Sequence, residues 1–160
     1  MRALRGRRTL LGVASTAVAA GLATAVVLVA TASSRAEPTR AQYLARVAAI
    51  CRVYGPRLDG IRPPDVAEPA NVIAAIDRVL PIVKVQLRRV KALEPPDGLR
   101  PRVERWLGLQ QRRLGMLEKA HAAGRRQDFR ALSIAYVDFL LAGPETAHLG
   151  RAIGIPHPPC

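Results

Sequence analysis

The chain has 160 residues, with 25 Lys or Arg against 12 Asp or Glu and a formal net charge of +13. Almost half of it is apolar but only 4% is aromatic. Few rings are available for base stacking, which sets nucleic acid aside as a partner, and the length excludes two full domains beside an N-terminal apolar segment.

That segment is the run from Thr9 to Ser34, 26 residues without an ionisable side chain. About 20 helical residues cross a bilayer core of roughly 30 Å, so residues 9–34 are expected to form a single transmembrane helix. Arg2, Arg5, Arg7 and Arg8 precede it with no acid. The positive-inside bias then keeps residues 1–8 in the cytoplasm and exports the rest. A cleaved signal peptide has the same polarity, and Ala30-Thr31-Ala32 is a passable cleavage site. Signal h-regions run only about 7–15 apolar residues, so a retained anchor is expected ahead of cleavage, which would give a secreted domain. Arg7-Arg8 resembles a twin-arginine export address, and two ordinary flanking arginines explain it more simply. Ala17, Gly21 and Ala25 have the spacing of a helix-packing stripe, which an Ala-rich segment supplies by chance.

Residues 35–38 form a linker to an exported helical bundle over 39–160. Thr39-Arg40-Ala41-Gln42 fits a capping box. Leu44, Val47, Cys51, Tyr54, Leu58 and Ile61 then recur at three-four spacing, one helical face. Gly55-Pro56 is expected to kink or break that helix. Asp65 to Glu68 offers a second capping box, with Asn71 as the alternative cap. The second face is Ile73, Ile76, Leu80, Val83, Leu87 and Val90, bent at Pro81. Pro95-Pro96-Asp97-Gly98 is a turn, and Pro101 suits the start of a third helix. Val103, Trp106, Leu107, Gln110, Leu114, Leu117 and His121 line that helix, and Gly124 is read as its C-cap. Asp128 caps a fourth helix carrying Phe129, Leu132, Tyr136, Phe139 and Leu140. Gly143-Pro144 stops it, and a short fifth runs from about Glu145 to Ile153. No segment alternates with period two. The predicted architecture is all-α, an antiparallel four-helix bundle with a short fifth helix, preceded by the transmembrane helix.

Beyond the apolar run the only cysteines are Cys51 and Cys160. An even count in an oxidising compartment reads as a disulfide. The motifs of zinc hydrolases, nucleophile-elbow enzymes, phosphate loops and EF-hands are absent from the sequence. Glu104 and Glu118 stand about 21 Å apart on one helix, too far for paired acid–base work. His157-Pro158-Pro159-Cys160 is at most half a metal site. No enzyme activity, cofactor or metal is predicted. His121 is expected to be a helix-end residue with a satisfied partner, and Trp106 to belong to the core.

Charge is the one surface feature with functional content. Without the four N-terminal arginines the chain keeps 21 basic against 12 acidic residues, and Lys84 to Arg130 alone holds 13 against five. Lys84, Arg88 and Lys91 share a face of helix two, and Arg102, Arg105, Arg112 and Lys119 lie on the outer sides of helix three; Arg113 is counted with them as an anionic-surface candidate. An ordinary solvated surface in an arginine-rich chain accounts for them. Binding to anionic headgroups or acidic wall polymers is the reading with content.

Tyr43, Ile50-Cys51, Pro95-Pro96, Trp106-Leu107, Ala120 to Gly124, Leu149-Gly150 and a closing cysteine occur in that order. Residues Tyr43 to Cys160 thereby resemble an uncharacterised family of actinobacterial exported or membrane-anchored helical domains with a paired cysteine near each end. The tail Ile155 to Pro159 is longer and richer in proline than that pattern. The resemblance implies a fold and a location, and it carries no activity. The function expected is a non-enzymatic, membrane-anchored cell-envelope module that binds a protein or anionic-polymer partner through a basic helical surface. The alternative is a carrier of a small apolar ligand in a pocket between helices splayed by Pro56 and Pro81.

Overall fold

Thr39 opens the first helix as the sequence requires. Its hydroxyl accepts from the Gln42 amide at 3.2 Å, and the Gln42 side chain accepts from the Thr39 amide at 2.9 Å, the reciprocal pair of a capping box. The computed structural model describes residues 37–155, which form five α-helices and no strand. They are α1 (Arg40–Asp59), α2 (Pro69–Lys91), α3 (Arg100–Arg125), α4 (Phe129–Leu141) and α5 (Gly143–Ile153). The expectations for residues 1–8, for the span 9–34 with its cleavage site, twin arginines and small-residue stripe, and for Cys160 lie outside the described residues. Among those described, no helix is long and apolar enough to cross a membrane.

The helix α3 packs against α2, α4 and α5, while α1 packs against α2. The contacts between α2 and α3 climb one helix as they descend the other: Asp77 meets His121, Lys84 meets Glu118 and Lys91 meets Gln111. Two apolar clusters fill the interior. One joins Tyr43, Val47 and Cys51 of α1 to Val90, Leu99, Val103, Trp106, Ile153 and Ile155. The other joins α2, from Val72 to Leu87, with Leu114 to Ala123 of α3 and Leu132 of α4.

Several local expectations are corrected. Of the kink or break expected at Gly55-Pro56, the break does not occur, and α1 continues to Asp59. Proline there removes one amide close to the helix end, and Tyr54, two residues earlier, is buried, with the Arg57 and Arg89 guanidinium groups each 5.6 Å from its ring centroid. Tyr43 rather than Leu44 leads the buried stripe of α1. The second capping box is not made. Asp65 instead accepts from the Ala67 amide within the preceding turn, and α2 starts on Pro69, which has no amide to satisfy. Asp128 does cap α4, accepting from the Ala131 amide at 3.0 Å.

The third helix does not end at Gly124. It runs to Arg125, and the left-handed residue that closes the turn is Gln127, with φ 60°. The Asp128 amide donates to the Ala123 carbonyl and the Gln127 amide to that of Gly124, a Schellman-type end. Gly124 serves packing instead, since a Cβ there would stand 2.6 Å from Ile73 Cγ1. That atom belongs to a branched side chain with little freedom to retreat. Gly124→Ala should therefore destabilise by about 1–3 kcal/mol despite alanine's better helix propensity. Gly115→Ala meets nothing within 4 Å and should stabilise by about 0.5–1 kcal/mol. Thermal melts of the two variants check the sign of each; equal shifts would mean that Ile73 yields without strain.

Gly154, with φ 99°, closes α5 in the same manner: Ile155 donates to Gly150 and Gly154 to Arg151. The turn delivers Ile155 into the cluster that holds Cys51. Arg40 also donates to the Ile153 carbonyl at 3.1 Å, joining the start of α1 to the end of α5. Glu37, in the expected linker, accepts from the Asp97 amide in the turn before α3.

Candidate anion-binding surface

Lys84, Arg88 and Lys91 recur at spacings of four and three on α2, so they share one helical face. All three are exposed. They border a groove of about 260 Å³ between α2 and α3, with Leu87 and Leu114 on its apolar floor and Gln111 on the far wall. Lys91 Nζ donates to Gln111 Oε1 at 3.4 Å, and Lys84 Nζ lies 2.8 Å from Glu118 Oε1. Both partners of that ion pair are about half exposed, and an exposed pair contributes only about 0–1 kcal/mol. Its effect on the groove is electrostatic, for Glu118 offsets the charge of Lys84. Arg88 and Lys91 carry the positive character.

On α3, Arg105, Arg112 and Lys119 recur every seven residues, two turns or about 10.5 Å apart on one stripe. All are exposed, as is Arg102 in the first turn. Arg113 stands apart from this set. It is half-buried under α4, its guanidinium carbon 4.6 Å from the centre of the Phe139 ring. Burial lowers its pKa below the usual guanidinium value, and among the described residues its Nε has no hydrogen-bond partner. Arg113 stands two turns after buried Trp106 and one turn before buried Leu117, so its position in α3 already belongs to the inner stripe. Arg113, expected among the surface ligands, is thus half-buried with the Phe139 ring against its guanidinium.

The remaining candidates have ordinary places. His121 Nε2 lies 2.7 Å from Asp77 Oδ1 on α2, the partner that a helix-end histidine needs. Trp106 is 2% exposed, and a Cβ on Gly150 would stand 3.2 Å from its Nε1. Among the described residues no three His, Cys, Asp or Glu side chains converge on a point that could hold a metal ion. Cys51 lies buried on the inner seam of α1 and is not a free thiol.

Of two further features, the first was expected only as a pocket between helices splayed by Pro56 and Pro81, and the second was missed from sequence. An apolar pocket of about 250 Å³ opens between Leu58 of α1, Ala75 and Val79 of α2, and Tyr136, Phe139 and Leu140 of α4. The outward face of α4 is apolar as well. Strong hydrophobicity all round that helix was the available signal. Compared with known protein families, curated proteins and solved structures, the chain matches none of them.

Proposed function

We propose that this chain is a non-enzymatic cell-envelope module, held by residues 9–34 as a single-pass anchor, whose α2–α3 surface binds a protein or an anionic polymer. In this reading the helices form an antiparallel four-helix bundle with α5 as a short addition, and the bundle lies outside the cytoplasm. The observation that carries the reading is the convergence of Lys84, Arg88 and Lys91 on one groove, with Arg105, Arg112 and Lys119 as a separate exposed stripe on α3. Cations in such a row suit a run of carboxylates or phosphates, and the groove's apolar floor has room for the backbone between them. The experiment is binding of the full chain to an anionic wall polymer or polyphosphate across a salt series, with the basic residues neutralised in turn.

The anchor has its own test. The intact mass of the protein isolated from its native membrane should include Thr9–Ser34; a mass beginning near Ser33 overturns the anchor and makes the domain a secreted one.

The apolar pocket favours a second reading, a carrier of a small apolar ligand. Its volume of about 250 Å³ falls below the range of roughly 300–1,000 Å³ typical of small-molecule sites. Neither Pro56 nor Pro81 lines it. The binding module therefore stands ahead.

A further inference from the structure

Seven large apolar side chains are exposed among the described residues, and five of them belong to α4: Phe129, Ile134, Val137, Leu140 and Leu141. They are not scattered around the helix. Ile134, Val137 and Leu141 follow at steps of three and four, and Phe129 and Leu140 lie along the adjoining stripe. The inner face, marked by Leu132, Ala135 and Phe139, is already packed against the core.

The margins of this face are basic. Ile134 shares a shallow groove with Lys119 and Arg126, and Leu140 shares a pocket with Arg62 on the opposite side. Arg130 is exposed on α4 itself, one turn before Ile134. Asp138 is the acid among the residues bordering these two grooves. A band of Phe, Leu, Ile and Val edged by Arg and Lys is the composition of a helix that lies in a membrane interface.

We propose that the outward face of α4 docks on an anionic phospholipid bilayer. Its five apolar side chains enter the headgroup–acyl boundary, while Arg62, Lys119, Arg126 and Arg130 meet lipid phosphates. The face excludes the α2–α3 groove and shares only Lys119 with the α3 stripe, and the proposal rests on the anchor of the proposed function. Five residues, Arg35 to Thr39, separate the uncharged run from α1. Fully extended they reach less than about 20 Å, so the tether keeps the domain at the bilayer and converts weak interfacial affinity into stable docking. A hydrated polymer offers no apolar phase for Leu141 to enter. A second copy of the chain would set one basic margin against another, the arrangement that like-charge repulsion disfavours.

The test uses the full chain reconstituted in vesicles of phosphatidylglycerol and phosphatidylcholine with brominated acyl chains. Trp106 is the single tryptophan of the chain and is buried, so Val137→Trp adds a reporter on the docking face alone. Its emission should be quenched several-fold more than that of the wild type. The quenching should fall toward the wild-type level in pure phosphatidylcholine or when Leu141→Asp is added. Leu141 is 72% exposed, so that variant should retain the fold, with circular dichroism as the check. Quenching equal to wild type in a chain that still floats with the vesicles overturns docking and leaves the anchor standing. A chain that does not float overturns both. Cross-linking of two copies through α4, without quenching, assigns the face to self-association instead. Polymer binding through Arg88 and Lys91 is read separately, so its failure leaves this result intact.

Discussion

Reduction of the protein, or Cys160→Ser, is expected to lower its unfolding free energy by up to about 4.7 kcal/mol, the chain-entropy value for a loop near 100 residues. For a domain of this size that corresponds to a fall in melting temperature on the order of 10–20 °C. The support comes from where the chain leads. Cys51 is packed with Tyr43, Val47, Val103, Trp106 and Ile155 in one cluster, and it is not a free thiol. The left-handed turn at Gly154 brings Ile155 into that cluster, and Cys160 follows five residues later, within a reach of about 17 Å. Cys51→Ser alone should cost slightly more than Cys160→Ser, because it also places a hydroxyl in an apolar cluster. The double variant should be no worse than Cys51→Ser, the non-additivity of two residues acting as one unit. Two reactive sulfurs in the unfolded, unreduced protein, or additive losses in the cycle, would overturn the bond.

Neutralising Arg88, Lys91 and Arg112 together, each to Gln, should weaken binding to an anionic surface by about 100-fold. The figure follows from about 1 kcal/mol per basic residue near a charged surface and about 1.4 kcal/mol per tenfold. Lys84 is left out of the set because Glu118 lies 2.8 Å from its ammonium and already offsets it. The loss should shrink as salt rises, since exposed charges are screened beyond about 8 Å at physiological ionic strength. Arg113→Gln should act differently. Its guanidinium lies over Phe139, so its replacement should lower stability and leave the salt dependence unchanged. Binding that survives the triple substitution returns these residues to ordinary solvated surface.

The elements themselves were legible in the sequence because their signals are local. Thr39 with Gln42, Asp128 before α4 and the turn from Pro95 to Gly98 each depend on atoms a few residues apart. Three-four apolar spacing found Val47, Cys51 and Tyr54 on α1, and Ile76, Leu80, Leu87 and Val90 on α2, because a helix repeats on itself whatever it packs against. Basic residues 84, 88 and 91 were likewise placed on one face by spacing alone.

What period counting lacked was the identity of the neighbour. Gly124 has the character of a helix cap, yet the approach of Ile73 made it a packing residue and moved the left-handed position to Gln127. Arg113 was counted among the surface cations although it stands two turns from buried Trp106, and Phe139 of α4 lies against it. Lys84 reads as a free cation until α3 brings Glu118 against it. The fourth helix shows the same limit from the other side. Its apolar residues surround the helix, and the sequence reading set Phe129 and Leu140 on it together with Leu132 without deciding which of them is covered. The structure buries Leu132 and leaves the other two exposed, because a single helix has room for only so many neighbours. Which stripe of an apolar helix is covered depends on contacts between residues distant in the chain, and only the tertiary arrangement decides it.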